Sequence, residues 1–272
     1  MSAFTSHLVL IPTYNTGPKV VETARAAVAE WQPIWVVVDG SSDGTAESLQ
    51  ALAEELGAGG GLRVICLPTN RGKGAAILHA ARRARQEGFT HALCMDADGQ
   101  HPADRIGEFM ERSRSHPDRM ILGEPVFGAD APRLRVNGRK ISNFWVNLET
   151  LWAGVHDSLF GFRLYPLGPL VEVMEGTPFA RRFDFDPEVA VRLCWKGVRP
   201  MNVQVPVRYI PASEGGVTQF RYLRDNCLLT WMHLRLMAGF LVRLPLLVWS
   251  RITGRGGSPA QAEQPRGEGN NS

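Results

Sequence analysis

The chain has 272 residues, 44% hydrophobic and 21% charged, with a formal net charge of +3. That is enough apolar material for a full core, and the balance excludes collagen-like, disulfide-scaffold and largely disordered classes. The charge is too mild to point to nucleic acid, and the four cysteines, Cys66, Cys94, Cys194 and Cys227, form no CxxC pair and read as reduced core residues.

Short apolar runs alternate with helix-favouring stretches through the first half. Residues 8–11, 34–38, 63–67, 92–95 and 120–122 read as buried strands. Between them, residues 18–30, 45–56, 75–86 and 103–115 are rich in Ala, Leu, Glu and Arg and read as helices. Such alternation predicts a mostly parallel α/β sheet with helices on both faces, whose strands are apolar throughout because both sides are covered. Further on, helices are expected over 138–153 and 187–196, and strands over 162–165 and 201–209. A last helical pattern covers 220–251 and is expected to break near Pro245. His233, Arg235, Arg243 and Pro245 interrupt its apolar run, so no spanning helix is expected. The N-terminus, MSAFTSHLVLIP, lacks the features of a signal peptide.

Polar, glycine-bearing loops follow the strands, where open parallel sheets bind ligands. They are Pro12-Thr13-Tyr14-Asn15, Asp39-Gly40-Ser41-Ser42-Asp43-Gly44, Asn70-Arg71-Gly72-Lys73-Gly74 and Asp96-Ala97-Asp98-Gly99-Gln100-His101. The set looks like a nucleotide site. Asp96 and Asp98, two apart on extended chain, point the same way and repel. A hard divalent cation, Mg²⁺ or Mn²⁺, relieves that repulsion and commonly joins one or two carboxylates to substrate phosphates. A plainer reading makes one aspartate a cap for the next helix. Asp39 suits a base edge or ribose, or an Asx turn with Gly40. Asp43 reads as an N-cap. Lys73 adds a point charge where backbone N–H groups open a helix. Gly-Lys-Gly lacks the hydroxyl of a Walker A loop, and the run from Gly57 to Leu62 fails the GxGxxG pattern.

Taken in order, LIPTYN, VVVDGSSDGT, TNRGKGAAI, MDADGQHP and GFRLYP resemble the family 2 glycosyltransferases of GT-A fold, nearest the dolichyl-phosphate mannose synthase-like branch. The resemblance covers about residues 7–210 and implies transfer of a sugar, a hexose, from a nucleotide-diphosphate donor with inversion, using Mg²⁺ or Mn²⁺. By it, Pro12, Tyr14 and Asp39 match base- and ribose-contacting positions, and Lys73 a nucleotide-side position. Asp96, Asp98 and Gln100 match the metal and diphosphate group, and Asp157 and Arg163 the segment beside the acceptor. The chain departs from the pattern at Thr16, Val38, Gly123-Glu124-Pro125, Phe160 and Gly216-Val217-Thr218-Gln219.

The chemistry of the residues agrees. Asp96 and Asp98 would hold a cation against the departing diphosphate, with Lys73, Arg139 or Arg163 adding positive charge. A hydroxyl acceptor needs a base, for which Asp157 is preferred over Asp186 and Glu188, whose plainer role is charge at a helix start; a phosphate acceptor needs none. Residues 208–257 carry seven arginines against Glu214 and Asp225 among Leu, Trp, Met and Phe, which suits a bilayer surface. A lipid-linked acceptor and a cytoplasmic protein peripheral on the inner membrane face are therefore expected. The expected units are a catalytic GT-A domain over 1–215, a basic amphipathic appendage over 216–253 and a disordered tail over 254–272. Two rivals stand beside this: a nucleotidyltransferase acting on sugar phosphates, and a noncatalytic nucleotide- or lipid-binding module.

Overall fold

The computed structural model describes residues 5–57, 59–127, 133–207 and 222–253. Seven strands form one sheet: β1 (His7–Thr13), β2 (Ile34–Asp39), β3 (Leu62–Leu67), β4 (His91–Cys94), β5 (Met120–Phe127), β6 (Arg163–Pro166) and β7 (Pro200–Val207). Their order is β3-β2-β1-β4-β6-β5-β7. All neighbours are parallel except β6, which runs antiparallel to both β4 and β5.

The helices are α1 (Lys19–Glu30), α2 (Thr45–Leu56), α3 (Lys73–Gln86), α4 (Ile106–Ser115), α5 (Arg133–Glu149), α6 (Leu167–Glu175), α7 (Phe185–Trp195) and α8 (Tyr222–Ile252). A 3₁₀ turn, Ala103–Arg105, leads into α4. Alternation along β1 splits the core into two layers. Leu8 and Leu10 pack with α3, α6, α7 and α8, while Val9 and Ile11 pack with α1, α2 and α4. Both layers are dry, which is why β1, β2 and β4 are apolar at almost every position.

Two features of the sheet place the site. Crossovers leave β1 toward β2 and β4 toward β6, so the loops after β1 and β4 flank a topological switch point. Register also sets Cys94 opposite Arg163, which brings the Gly161-Phe162-Arg163 turn beside Asp96.

Several expectations are corrected. Helix α6 was not foreseen; Pro166, Gly168 and Pro169 sit at its start, where a missing N–H costs nothing. Cys66 and Cys227 are exposed, so only Cys94 is a fully buried thiol. Helix α8 runs through Pro245 without a break. Pro245 lies on the exposed side of that helix, where water can satisfy the carbonyl it leaves unbonded.

By length and composition, Arg224–Ile252 is apolar enough to cross a membrane, contrary to expectation. Its inner side is nevertheless fixed to the domain. Met232, Leu236 and Phe240 are at most 5% exposed, which is worth about 1.5–3 kcal/mol for each side chain. The expected tail over 254–272, the segment 216–221 and Arg208 lie outside the described residues.

Candidate active site

The loop after β4 carries the paired carboxylates. Met95 still donates its N–H to Leu10 of β1, and the chain then turns away. The Asp96 N–H donates to His101 Nδ1 at 2.9 Å, so the ring proton is on Nε2, which faces Asp96 Oδ2 at 3.6 Å. The Gln100 N–H donates to Asp98 Oδ1 at 3.0 Å. His101 is wedged edge-on against Phe160, with ring centroids 4.7 Å apart. The turn from Asp96 to His101 is thus closed on itself, with both carboxylates half-buried.

Lys73, at the first position of α3, reaches this loop from the other side. Its ammonium is 2.7 Å from Asp96 Oδ1 and 2.7 Å from Asp186 Oδ2. Burial pulls the ammonium down, but Asp186 and Asp96 outweigh it and hold the charge above the ordinary lysine range. Burial likewise pushes Asp96 up, yet Lys73 and His101 bring it down to about 2. Asp98 has no such cation. Burial and then Asp96 hold its carboxyl above the usual range. Asp96 and Asp186 therefore share one ammonium, and Asp98 stands beside them without an ion-pair partner among the described residues. Gly161 makes the approach possible, since a Cβ there would lie 2.6 Å from Lys73 Nζ and 2.7 Å from Asp96 Oδ2.

Asp39, at the end of β2, is buried. Its oxygens accept N–H bonds from Arg71 (3.0 and 3.1 Å) and Gly72 (2.6 Å). Instead of an Asx turn with Gly40, it ties the loop after β3 to the loop after β2. Gly40, at φ +68°, has Asn70 N where its Cβ would be, 2.5 Å away. Asn15 joins the same wall: its N–H donates to Ser41 Oγ and its Oδ1 accepts from the Ser42 N–H. Asp43 is not the N-cap that was expected: Gly44 holds that position, and Asp43, one residue earlier, accepts the Thr45 N–H. Pro12 is buried, while Tyr14 is exposed at the rim.

In the segment from Asp157 to Arg163 the structure shows contacts that the sequence did not suggest. Asp157 Oδ1 accepts from Arg139 (2.8 Å), the Leu159 N–H (2.9 Å) and the Phe160 N–H (2.7 Å). Those contacts make Asp157 the anchor of the turn before Gly161. Arg163 is completely buried and donates to the carbonyls of Phe160 (2.6 Å), Asp186 (2.6 Å) and Asp157 (2.9 Å). The Arg163 guanidinium thus ties the turn before Gly161 to the start of α7.

The structure adds Asp186, which sequence reasoning ranked behind Asp157; its side chain meets Lys73 although 113 residues separate them. Asp186 Oδ1 is buried without a hydrogen-bond partner. The segment before α7 also closes on the start of α3. Ala75 N–H donates to the Arg181 carbonyl, and a Cβ on Gly74 would lie 2.1 Å from the Ala180 carbonyl oxygen.

Among the described residues, no three His, Cys, Asp or Glu side chains converge as a metal cage. The donor chemistry still fits a hard cation. Asp96 and Asp98 are two adjacent carboxylates, one without a cation, and Mg²⁺ draws its remaining ligands from phosphates and water.

A family model for glycosyl transferase family 2 matches residues 8–173, more than half of the chain. The chain belongs to that family. The protein is therefore a glycosyltransferase, which sets aside the nucleotidyltransferase and the noncatalytic module. It is similar to polyprenol monophosphomannose synthase of Mycolicibacterium smegmatis, 28% identical over 218 residues, covering 76% of this chain and 78% of that one. It is also similar to undecaprenyl-phosphate mannosyltransferase of Micrococcus luteus, 26% identical, covering 76% of this chain and 85% of the relative. Glucosyl-3-phosphoglycerate synthase from Mycobacterium tuberculosis, crystallised with Mn²⁺, UDP-glucose and phosphoglyceric acid, shares the GT-A fold. There the TM-score is 0.57 at 16% identity, over 94% of this chain and 81% of that one.

Proposed function

We propose that the protein transfers a hexose from a nucleotide-diphosphate donor to a polyprenyl-type lipid phosphate, with inversion and with help from Mg²⁺ or Mn²⁺. One observation carries this reading: Asp96 and Asp98 stand together at the switch point, where the Lys73 ammonium is divided between Asp96 and Asp186 and leaves Asp98 unpaired by a cation. A purely structural turn has no use for that surplus of negative charge. The names of the two mannosyl-transferring relatives support a lipid-phosphate acceptor.

Asp96 and Asp98 would hold the cation, with Gln100 beside them. When bound, the metal neutralises the charge that develops on the leaving diphosphate. Lys73 keeps Asp96 ionised at any pH above about 2 and supplies fixed positive charge in the cleft. The loops carrying Pro12, Tyr14 and Asp39 would form the nucleotide wall, which Asp39 stiffens through Arg71 and Gly72. Arg139, fixed by Asp157, would place a guanidinium on the acceptor side. A phosphate acceptor attacks as an anion, so Asp157 is free to serve as a turn anchor and no general base is required. The unit over 1–215 would carry the chemistry and the helical part of 216–253 the association with the cytoplasmic membrane face.

The test is transfer of labelled sugar from UDP-, GDP- and dTDP-sugars into organic-extractable polyprenyl phosphate, with Mg²⁺, Mn²⁺ or EDTA. Lipid-borne label with one donor, lost in EDTA, is expected. Release of label only into water from every donor would overturn the reading.

A further inference from the structure

We infer that α5 and α8 form one continuous surface that lies on an anionic phospholipid bilayer, with α8 parallel to the membrane plane. This rests on the lipid-acceptor reading and adds which face meets lipid and in which orientation. On α8, Leu234, Leu241 and Trp249 are each at least 60% exposed, opposite the side that is buried on the domain. On α5, Ile141 and Phe144 are 65% and 55% exposed, on neighbouring turns of one helical side.

The two helices are joined side by side. His233 of α8 meets Ser142 and Glu149 of α5 at 3.1 and 3.0 Å. Arg251, near the end of α8, donates to the carbonyl of Trp152 just past α5. The exposed apolar residues are therefore parts of one face rather than singly scattered.

Charge identifies what covers it. The acidic residues of α5 and α8 are Glu149 and Asp225, and both are buried. Lys140, Arg224, Arg243 and Arg251 are exposed on the same two helices. Among the described residues of these two helices the exposed charges are all cations, which fits anionic headgroups over hydrocarbon. A second copy of the same face would meet it with like charge.

Orientation follows from the inner side. His233 and Arg235 lie within the apolar stretch of α8 and are held by the fully buried Glu149 and Glu188. A spanning α8 would take His233 from Glu149 in the domain core and leave Glu188 with Arg192 alone. A helix lying flat keeps them paired.

The experiment uses the full chain with vesicles of phosphatidylcholine alone or with phosphatidylglycerol. Wild type should sediment only with the anionic vesicles. Phe144→Glu and Leu241→Glu, both at exposed positions, should each weaken that binding at least tenfold. Both variants should transfer sugar to a short-chain polyprenyl phosphate in detergent at the wild-type rate, which separates this inference from the acceptor assignment. Failure of transfer by wild type itself would fall on the acceptor reading instead.

Nitroxide labels on Leu234→Cys and Trp249→Cys should report equal, shallow depths. Depths differing by about 22 Å, fifteen residues of helix rise, would mean a spanning helix and overturn the proposal. Unchanged vesicle binding by Phe144→Glu would overturn the part played by α5. A wild-type dimer in ultracentrifugation that Phe144→Glu dissolves would reassign the face to self-association.

Discussion

Lys73 and Asp186 form an ion pair at 2.7 Å that fastens the first residue of α3 to the start of α7. Asp186 also accepts, through its carbonyl, from buried Arg163. The surroundings of Asp96 are therefore built from three distant pieces of sequence, and the lysine ammonium is their common electrostatic centre.

Lys73→Met removes that centre and leaves Asp96 and Asp186 facing each other. Transfer should fall at least a hundredfold, with a stability loss of about 3 kcal/mol, the low end for breaking a buried pair. The pH dependence has a definite sign. Because the folded-state carboxyl of Asp96 lies near 2 against an ordinary 3.8, its contribution is complete above 3.8 and is lost as pH falls toward 2. Denaturant unfolding of wild type and Asp96→Asn across that window should show the wild type losing its advantage there.

Asp98→Asn should behave in the opposite way. Burial and Asp96 raise this carboxyl, so its charge opposes folding above the ordinary aspartate range. The variant should keep or slightly raise the melting temperature while abolishing transfer. A variant that transfers at the wild-type rate would remove Asp98 from the cation site.

Gly161→Ala separates geometry from charge. Its Cβ would intrude on both Lys73 Nζ and Asp96 Oδ2 while every ionisable group remains. Lys73 can move aside, since the obstructed atom is the end of a flexible chain, so folding should change by about 1 kcal/mol or less. The kcat for transfer should drop at least tenfold, because the ion pair beside the leaving group is displaced. Titrating donor binding by thermal shift alongside kcat would show whether the loss lies in the donor complex or in the chemical step.

The strand-end loops were legible because a buried parallel strand followed by Gly, Asp and Asn is a local pattern. Asp96 and Asp98 stood out on that ground alone. The roles of Asp157 and Arg163 did not, since a carboxylate aimed at its own turn and a guanidinium turned inward have the same sequence appearance as a base and an anion clamp. The contact of Gly72 and Gly74 with Arg181 and Ala180 is likewise tertiary, and no spacing rule announces it. Glu149 and Glu188 were invisible as core residues, because their partners come from α8, at the far end of the chain.

Glu188 supplies the last prediction. It is fully buried and paired with Arg192 at 2.8 Å and Arg235 at 3.1 Å, and the Arg235 guanidinium also lies 3.4 Å over the Phe179 ring. Glu188→Ala takes its carboxylate from half-buried Arg192 and leaves Arg235 only Asp184, 3.9 Å away, and should cost about 3 kcal/mol, the low end for breaking a buried pair. Arg235→Met leaves Glu188 one partner and restores apolar contact, so its cost should be smaller. The double change Glu188→Met with Arg235→Met should recover part of the loss, as apolar replacement of buried pairs often does. Equilibrium unfolding of wild type, Glu188→Met, Arg235→Met and the double variant closes the cycle. If Glu188→Ala unfolds with the wild-type midpoint, the pair does not hold α8 to α7, and the fixed placement of α8 loses its main support.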